Sequence, residues 1–490
     1  MIKLRLLLLL TLGVSSLFGQ TITGQIDFGK REANPNFIVH SPVDNGLVTL
    51  GPASKVSTRY IALSKYDADF NLSWKKEIFT QNGRKNLDFM TLIGENILVF
   101  VSEFKPEAKV IEAYYFRYNL AGEMLEDKTI LSVSPNQREY RADLRYVLSS
   151  NKRTLLCYRN LENRREGEAM LYFIFDETGQ QTNNGEITLK YPDNRFTISW
   201  IRVSNQGNIY FLGKFYKENR IRDPQDYEYL MFRYKTVENM MEEFSIELGD
   251  RFVNDLAFKI DRNEHIFVTG FYSNRGTNQI TGVLLQQIDA EGKVINETIE
   301  AFGGNFLSNY LSDRQIDRGR ELRNFRVMDP EEGIVLRSDG GVLLIAENYY
   351  LTEQTFVDQF NTFNSRTVYN YGDVILTSIS PEGYIEWHAI VDKQQFTVNP
   401  QLMSYFSAAG PEGLMVFYEL NPTGAPRNVY FNTVGIEGQV SGRRPLLNDF
   451  RGSSDFVTGL CQQISNTEAL LGYFQKRGKW LTLIRVDLRE

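Results

Sequence analysis

The sequence predicts an all-β fold: an eight-bladed β-propeller whose last blade is closed by the N-terminal strand, with a seven-bladed ring as the alternative. Three observations predict it. A unit of two hairpins recurs along the chain after residue 20. The strands that follow the first turn of each unit are almost wholly apolar. A lone strand near the start matches a strand missing at the end.

The first hairpins turn near Asn45, Glu95, Asn151, Gly207, Asn263, Gly340, Glu412 and Asn466. The second hairpins read YDADFNLSWKKEI (66–78), YNLAGEMLEDKTI (118–130), FDETGQQTNNGEI (175–187), IDAEGKVINETIE (288–300) and ISPEGYIEWHAIV (379–391), with more diverged copies at 234–246 and 434–440. Each is a strand, a short turn rich in Gly, Asp, Glu and Asn, and a second strand. Two hairpins make four antiparallel strands, and four-stranded sheets repeated around an axis are propeller blades. Runs such as NIYFLG, HIFVTG and VLLIAE suit strands buried on both faces between neighbouring blades. The blades fall at about 36–78, 87–130, 143–189, 197–248, 253–302, 322–393, 403–447 and 454–490, the sixth enlarged. Trp74 and Trp387 occupy the same place in their copies, which predicts a shared packing role.

The ends give the sharpest expectation. Val486-Asp487 aligns with Tyr66-Asp67, so the chain stops where the last second-hairpin turn should begin. The segment TITGQIDFG (21–29) stands alone before the first unit and can supply the absent strand, which removes two exposed sheet edges.

Residues 1–20, MIKLRLLLLLTLGVSSLFGQ, have Lys3 and Arg5, an apolar run from Leu6 to Val14 and small residues after it. This is the pattern of a secretory signal peptide. No later stretch is long and apolar enough to span a membrane as a helix. The expected mature protein is a single domain from residue 21, exported to the periplasm or the extracellular space. A net charge of −7 gives no hint of nucleic-acid binding. Cys157 and Cys461 sit in apolar runs read as strands, and the plainer expectation is two buried thiols rather than a disulfide.

VSNQGNIYFLGKF (203–215), and IDRNEHIFVTGFYS (260–273) followed by GVLLQQIDAEGKVINETI (282–299), resemble the blade repeats of secreted bacterial β-propeller proteins with a D-x-x-G-N-x-Y-V-T-G inner hairpin. The resemblance spans nearly the whole mature chain. It implies a fold and the manner of ring closure, and such propellers serve many functions.

In four-stranded blades the hairpin turns lie on one face, and the connections between strands two and three and between blades lie on the other. The longest connections here are all of the second kind, including GGNFLSNYLSDRQIDRGRELRN (303–324) and NYYLTEQTFVDQFNTFNSRTVYNYGD (348–373). Long loops on a rigid scaffold carry function. These carry Arg220, Arg222, Tyr310, Arg314, Arg318, Tyr349, Tyr350 and Arg366. Arg and Tyr are favoured at binding surfaces, so this face is the expected binding site for a protein, glycan or anionic ligand. The plainer alternative is a set of solvated arginines partnered by Asp313, Asp317 and other interspersed acids. SDRQIDRGRE (312–321) reads as a short helix.

No cofactor or metal is expected. Asp67, Asp69 and Asn71 mimic the opening of a calcium loop, but Leu72 and Ile78 stand where that loop needs Gly and Glu. His40, His265 and His388 are not at ligand spacing. There is no G-x-S-x-G elbow and no phosphate loop. The expectation is a non-enzymatic scaffold or binding module. Its rival is a secreted polysaccharide hydrolase or lyase with an Arg/Tyr-lined pocket.

Overall fold

The computed structural model describes residues 22–29, 33–55, 59–80, 84–135, 141–161, 168–192, 194–218, 227–246, 249, 251–274, 279–327, 333–357, 362–398, 404–420, 428–446, 455–475 and 480–489. The signal-peptide pattern and the candidate residues Arg220 and Arg222 lie outside them.

Among the described residues, eight antiparallel sheets follow one another along the chain, and in seven of them the four-stranded order matches sequence order. A buried apolar cluster joins each sheet to the next. Leu50, Leu63 and Val99 lie between the first and second, and Phe100, Tyr115 and Phe175 between the second and third. Tyr172 and Phe211 fill the third interface, Tyr210 and Phe258 the fourth, Phe271 and Leu344 the fifth. Ile345 and Val416 fill the sixth and Phe417 and Leu471 the seventh. Leu47, Tyr66, Leu470 and Leu483 then join the last sheet to the first. Sheets packed face to face in series, with the last against the first, form a β-propeller.

The last sheet is completed from the other end of the chain. The strand Ile22–Asp27 pairs antiparallel with Trp480–Asp487, from Ile22 opposite Val486 to Asp27 opposite Thr482. Thr482 donates to Asp27 Oδ1 at 2.6 Å, and Phe28 N–H donates to the Leu481 carbonyl at 2.7 Å.

The two tryptophans do share a role. Trp74 Nε1 donates to the Leu120 carbonyl and Trp387 Nε1 to the Ile436 carbonyl, each at 2.9 Å. Both indoles lie on the turn glycine of the next sheet's second hairpin. A Cβ on Gly122 would meet Trp74 at 3.0 Å, and one on Gly438 would meet Trp387 at 2.6 Å. Both glycines have positive φ, so only glycine suits the turn and the close approach together. The stretch that mimics a calcium loop is a turn of this family. Asp67 Oδ1 accepts from the N–H groups of Asp69 and Asn71 at 3.0 and 2.8 Å, as Asp289 Oδ1 does from Glu291 and Lys293. Among the described residues no group of three or more His, Cys, Asp or Glu side chains could hold a metal ion.

Several expectations need correction. Residues 348–357 and 363–373 are strand rather than loop: Val342–Val357 and Phe363–Ile379 pair as one ribbon, with Tyr350 opposite Asn370 and Val357 opposite Phe363. The β-branched and aromatic residues of that stretch favour strand over coil. The 303–324 connection, expected to hold one short helix near 312–321, also opens with helix α1 (Gly304–Leu307), capped by Gly303. Cys461 lies just after a 3-10 turn rather than within a strand. Both cysteines are buried and free.

Candidate functional site

The segment from Phe302 to Asn324 crosses the face that carries the long connections. Helix α1 sets Phe306 against Phe302 and His388, with ring centroids 4.6 and 4.8 Å apart. Helix α2 (Asp313–Asp317) follows, its first turn closed by Ser312 N–H donating to Gln315 Oε1 at 2.9 Å. Gly319, with φ of 62°, turns the chain back. Two ties fix the far end to the fifth sheet. Ile280 and Leu322 exchange backbone hydrogen bonds of 2.9 and 3.1 Å, and the Glu321 carboxylate accepts from the hydroxyls of Ser273 and Thr281.

This fold-back encloses a pocket of about 510 Å3 lined by Gln279, Tyr310, Arg320, Glu321, Arg323 and Asn348 among others. Tyr310 stands between Phe306 and Phe325, at 5.9 and 5.5 Å. Its buried hydroxyl makes no hydrogen bond of good geometry among the described residues. Burial and the nearby Asp373 carboxylate push the phenol well above its usual pKa, so it is a neutral donor. Asp373 is itself raised, mainly by burial. Arg314, Arg318, Arg320, Arg323 and Arg326 are exposed, and no ion pair among the described residues engages any of them. Glu321, the carboxylate in the lining, is already held by two hydroxyls. The pocket mouth therefore presents cationic groups whose charge is not neutralised by contact.

The ribbon rises beside it. At its root, Tyr349 N–H donates to the Asn324 carbonyl at 2.7 Å, and the Arg326 guanidinium sits 5.2 Å over the Tyr349 ring. Beneath the root, Glu347 and Lys393 form a fully buried ion pair. Ser404 donates to Glu347 Oε2 at 2.6 Å and Lys393 donates to Gln395 at 2.9 Å. Higher up, Arg366 donates to Gln354 Oε1 at 3.0 and 2.7 Å and covers Phe356. Leu351, Phe356, Val357 and Phe363 are exposed.

The candidates thus separate. Tyr310 lines the pocket, and Arg314 and Arg318 lie on or just after α2 in the same fold-back. Tyr349 is at the ribbon root, packed on Tyr371 at 5.1 Å. Tyr350 and Arg366 are on the ribbon and line no part of the pocket. Asp313 and Asp317 do not ion-pair with Arg314 or Arg318 among the described residues, while both arginines are exposed, as the plainer alternative expects. Arg323 and Arg326 are not singled out by sequence, although Arg323 lies within the 303–324 connection and Arg326 two residues beyond it.

His388 is not a partner for Tyr310. Its Nδ1 meets the Thr377 hydroxyl at 2.9 Å, Phe302 and Phe306 cover its ring, and burial lowers its pKa to about 4.

No protein-family model and no curated protein matches this chain. Solved structures do. A polysaccharide lyase, Uly1, aligns with 81% of this chain and 89% of its own at 11% identity and a TM-score of 0.40. The β-propeller domain of the Trilobed protease from Pyrococcus furiosus, described as having an open velcro topology, aligns over 86% and 98% at 14% identity and a TM-score of 0.36. Prolyl oligopeptidase B from Galerina marginata aligns over 92% of this chain and 56% of its own, at 10% identity and a TM-score of 0.41.

Proposed function

We propose that this chain is an exported, eight-bladed propeller that acts as a binding module, holding an acidic glycan on its long-connection face. Eight rather than seven blades is supported by the eight sheet-to-sheet apolar clusters, the last of which joins the ends of the chain. Export rests on the leader pattern of residues 1–20. The observation that carries the ligand class is the pocket at Tyr310. Arg320 and Arg323 line it without ion-pair partners among the described residues, and the neutral phenol of Tyr310 stands in the same lining beside Asp373. Guanidinium groups recognise carboxylate and sulfate oxygens in a planar, bidentate way, and an aromatic wall suits the apolar faces of sugar rings.

The exposed apolar side chains of the ribbon favour a second reading, a protein partner seated on Leu351, Phe356, Val357 and Phe363. The rival reading, a hydrolase or lyase, needs an acid and a base converging on one substrate position. Tyr310 and Asp373 are the nearest to such a pair, and both are biased by burial toward their neutral forms.

The test is binding of polygalacturonate to the mature protein. Arg320→Gln/Arg323→Gln should weaken binding at least tenfold, about 1.4 kcal/mol, and the remaining affinity should fall less steeply with salt. Unchanged affinity in the double variant refutes the site. Release of new reducing or unsaturated ends from the same polymer would replace the binding reading with the catalytic one.

A further inference from the structure

A larger cavity lies at the other end of the propeller, and it is unrelated to the pocket at Tyr310. It measures about 680 Å3 and is lined by Tyr146, Lys152, Trp200, Arg202, Ser407 and Gln462 among others. These residues come from the innermost strands of the third, fourth, seventh and eighth sheets and from the first-hairpin turn at Lys152. They therefore line the central channel toward the face of the hairpin turns, opposite the long connections. The volume lies within the ~300–1,000 Å3 of small-molecule sites.

The chemistry of the lining is selective. Among the described residues Lys152 and Arg202 are its charged members and no carboxylate lines it, in a protein whose acids outnumber its bases. Lys152 is exposed and in no ion pair among the described residues. The charge of Lys152 also reaches the first sheet. His40, on the innermost strand of the first sheet, has its pKa lowered by burial first and then by Arg485, Lys152 and Lys65.

The walls are held in place. Trp200 Nε1 donates to the Leu256 carbonyl at 3.0 Å, which fixes the indole. The Arg202 guanidinium lies 5.6 Å from that ring's centroid and donates to the Ile201 carbonyl at 3.2 Å. Gln463 clamps the seventh sheet to the eighth, accepting from Ala409 N–H at 2.9 Å and donating to the Ala409 carbonyl at 2.7 Å. Walls fixed before binding reduce the ordering cost a ligand must overcome.

We propose that this end of the channel is a separate binding site for a small acidic sugar, a pyranose ring bearing a carboxylate. Lys152 and Arg202 meet the carboxylate, the fixed Trp200 ring meets the apolar face of the pyranose, and Ser407 and Gln462 hydrogen-bond its hydroxyls. A lining without carboxylates among the described residues favours acidic over neutral sugars, since an acid there would repel the ligand.

The experiment is calorimetric titration of the whole mature protein with D-glucuronate, with D-glucose as the neutral control. Glucuronate should bind at least tenfold more tightly than glucose. Lys152→Gln/Arg202→Gln should lose at least tenfold in glucuronate affinity with glucose unaffected. Lys152→Gln alone changes only an exposed turn side chain, so its fold is not at risk, and it should lose about threefold. Arg320→Gln/Arg323→Gln, on the opposite face, should bind glucuronate as the unmodified protein does. The proposal is overturned if glucuronate binds no more tightly than glucose. It is also overturned if Lys152→Gln leaves the affinity unchanged, or if the loss follows the Arg320/Arg323 variant instead.

Discussion

Removing residues 21–29 tests how the propeller is held shut. The segment contributes backbone pairing with Trp480–Asp487, and one fully packed side chain: Phe28 is 3% exposed and sits edge-on to Tyr66 at 5.7 Å. The pairing nets about 0.5–1.5 kcal/mol per hydrogen bond, while ordering the strand costs about 1–2 kcal/mol per residue. These nearly offset, so the side-chain term decides. Deleting a buried Phe side chain costs about 3–5 kcal/mol, a large fraction of the ~5–15 kcal/mol that typically separates folded from unfolded protein. With m-values of about 1–3 kcal/mol/M or somewhat more, the urea midpoint of the truncated mature protein should fall by about 1 M or more. Phe28→Ala should reproduce most of that shift with the backbone pairing intact. The truncation alone should leave Trp480–Asp487 as an open edge, so it alone should show concentration-dependent association, relieved by adding the 21–29 peptide. Equal midpoints for truncated and intact protein would refute the account, as would a Phe28→Ala variant as stable as the original.

Two further predictions concern buried charge. Lys393→Met should destabilise by about 3–5 kcal/mol because it leaves the buried Glu347 carboxylate without its counter-ion, and adding Glu347→Gln should recover much of the loss; a thermal melt of the three proteins checks this, and an unaffected single variant would exclude it. Burial raises the pKa of Asp88 to about 6 despite the Ser102 hydroxyl that donates to it. A carboxyl whose folded pKa exceeds its unfolded ~3.9 binds more protons when folded, so its cost is absent below about pH 4 and complete above about pH 6, reaching roughly 3 kcal/mol. The urea midpoint of the unmodified protein minus that of Asp88→Asn should therefore decline between pH 4 and pH 6 and then level off; a difference flat with pH would contradict the burial argument.

The repeat was legible because each hairpin carries its own local chemistry. Asp67, Asp176 and Asp289 all fold their turns by accepting from backbone two and four residues on, and that pattern survives where side-chain identity does not. Trp74 and Trp387 were visible as equivalent because the glycine each covers recurs at one turn position. The ribbon differs from the expected loop because a long stretch between apolar runs can also be strand: its Tyr, Thr, Phe and Val favour extended backbone even where both faces are exposed. At the candidate site, Tyr310 and the fold-back arginines were found from loop length and composition. Arg323, Gln279 and Asn348 were not, because they join the pocket through the Ile280–Leu322 bridge and the bulged strand beside Glu347, and neither contact has a local sequence signature.

By itself, the sequence determined the four-strand unit, the order of the sheets, the positions of nearly all turns and the strand that completes the last sheet. These follow from hydrophobic alternation and turn residues, which act over a few positions along the chain. Only the tertiary structure decided which described arginines are left without carboxylate partners, that Glu347 and Lys393 neutralise each other out of water, and that the third, fourth, sixth, seventh and eighth sheets leave a cavity with no carboxylate among its described lining residues. Those features depend on residues far apart in sequence being brought within a few ångströms by the packing of sheet on sheet, where burial sets the strength of every charge.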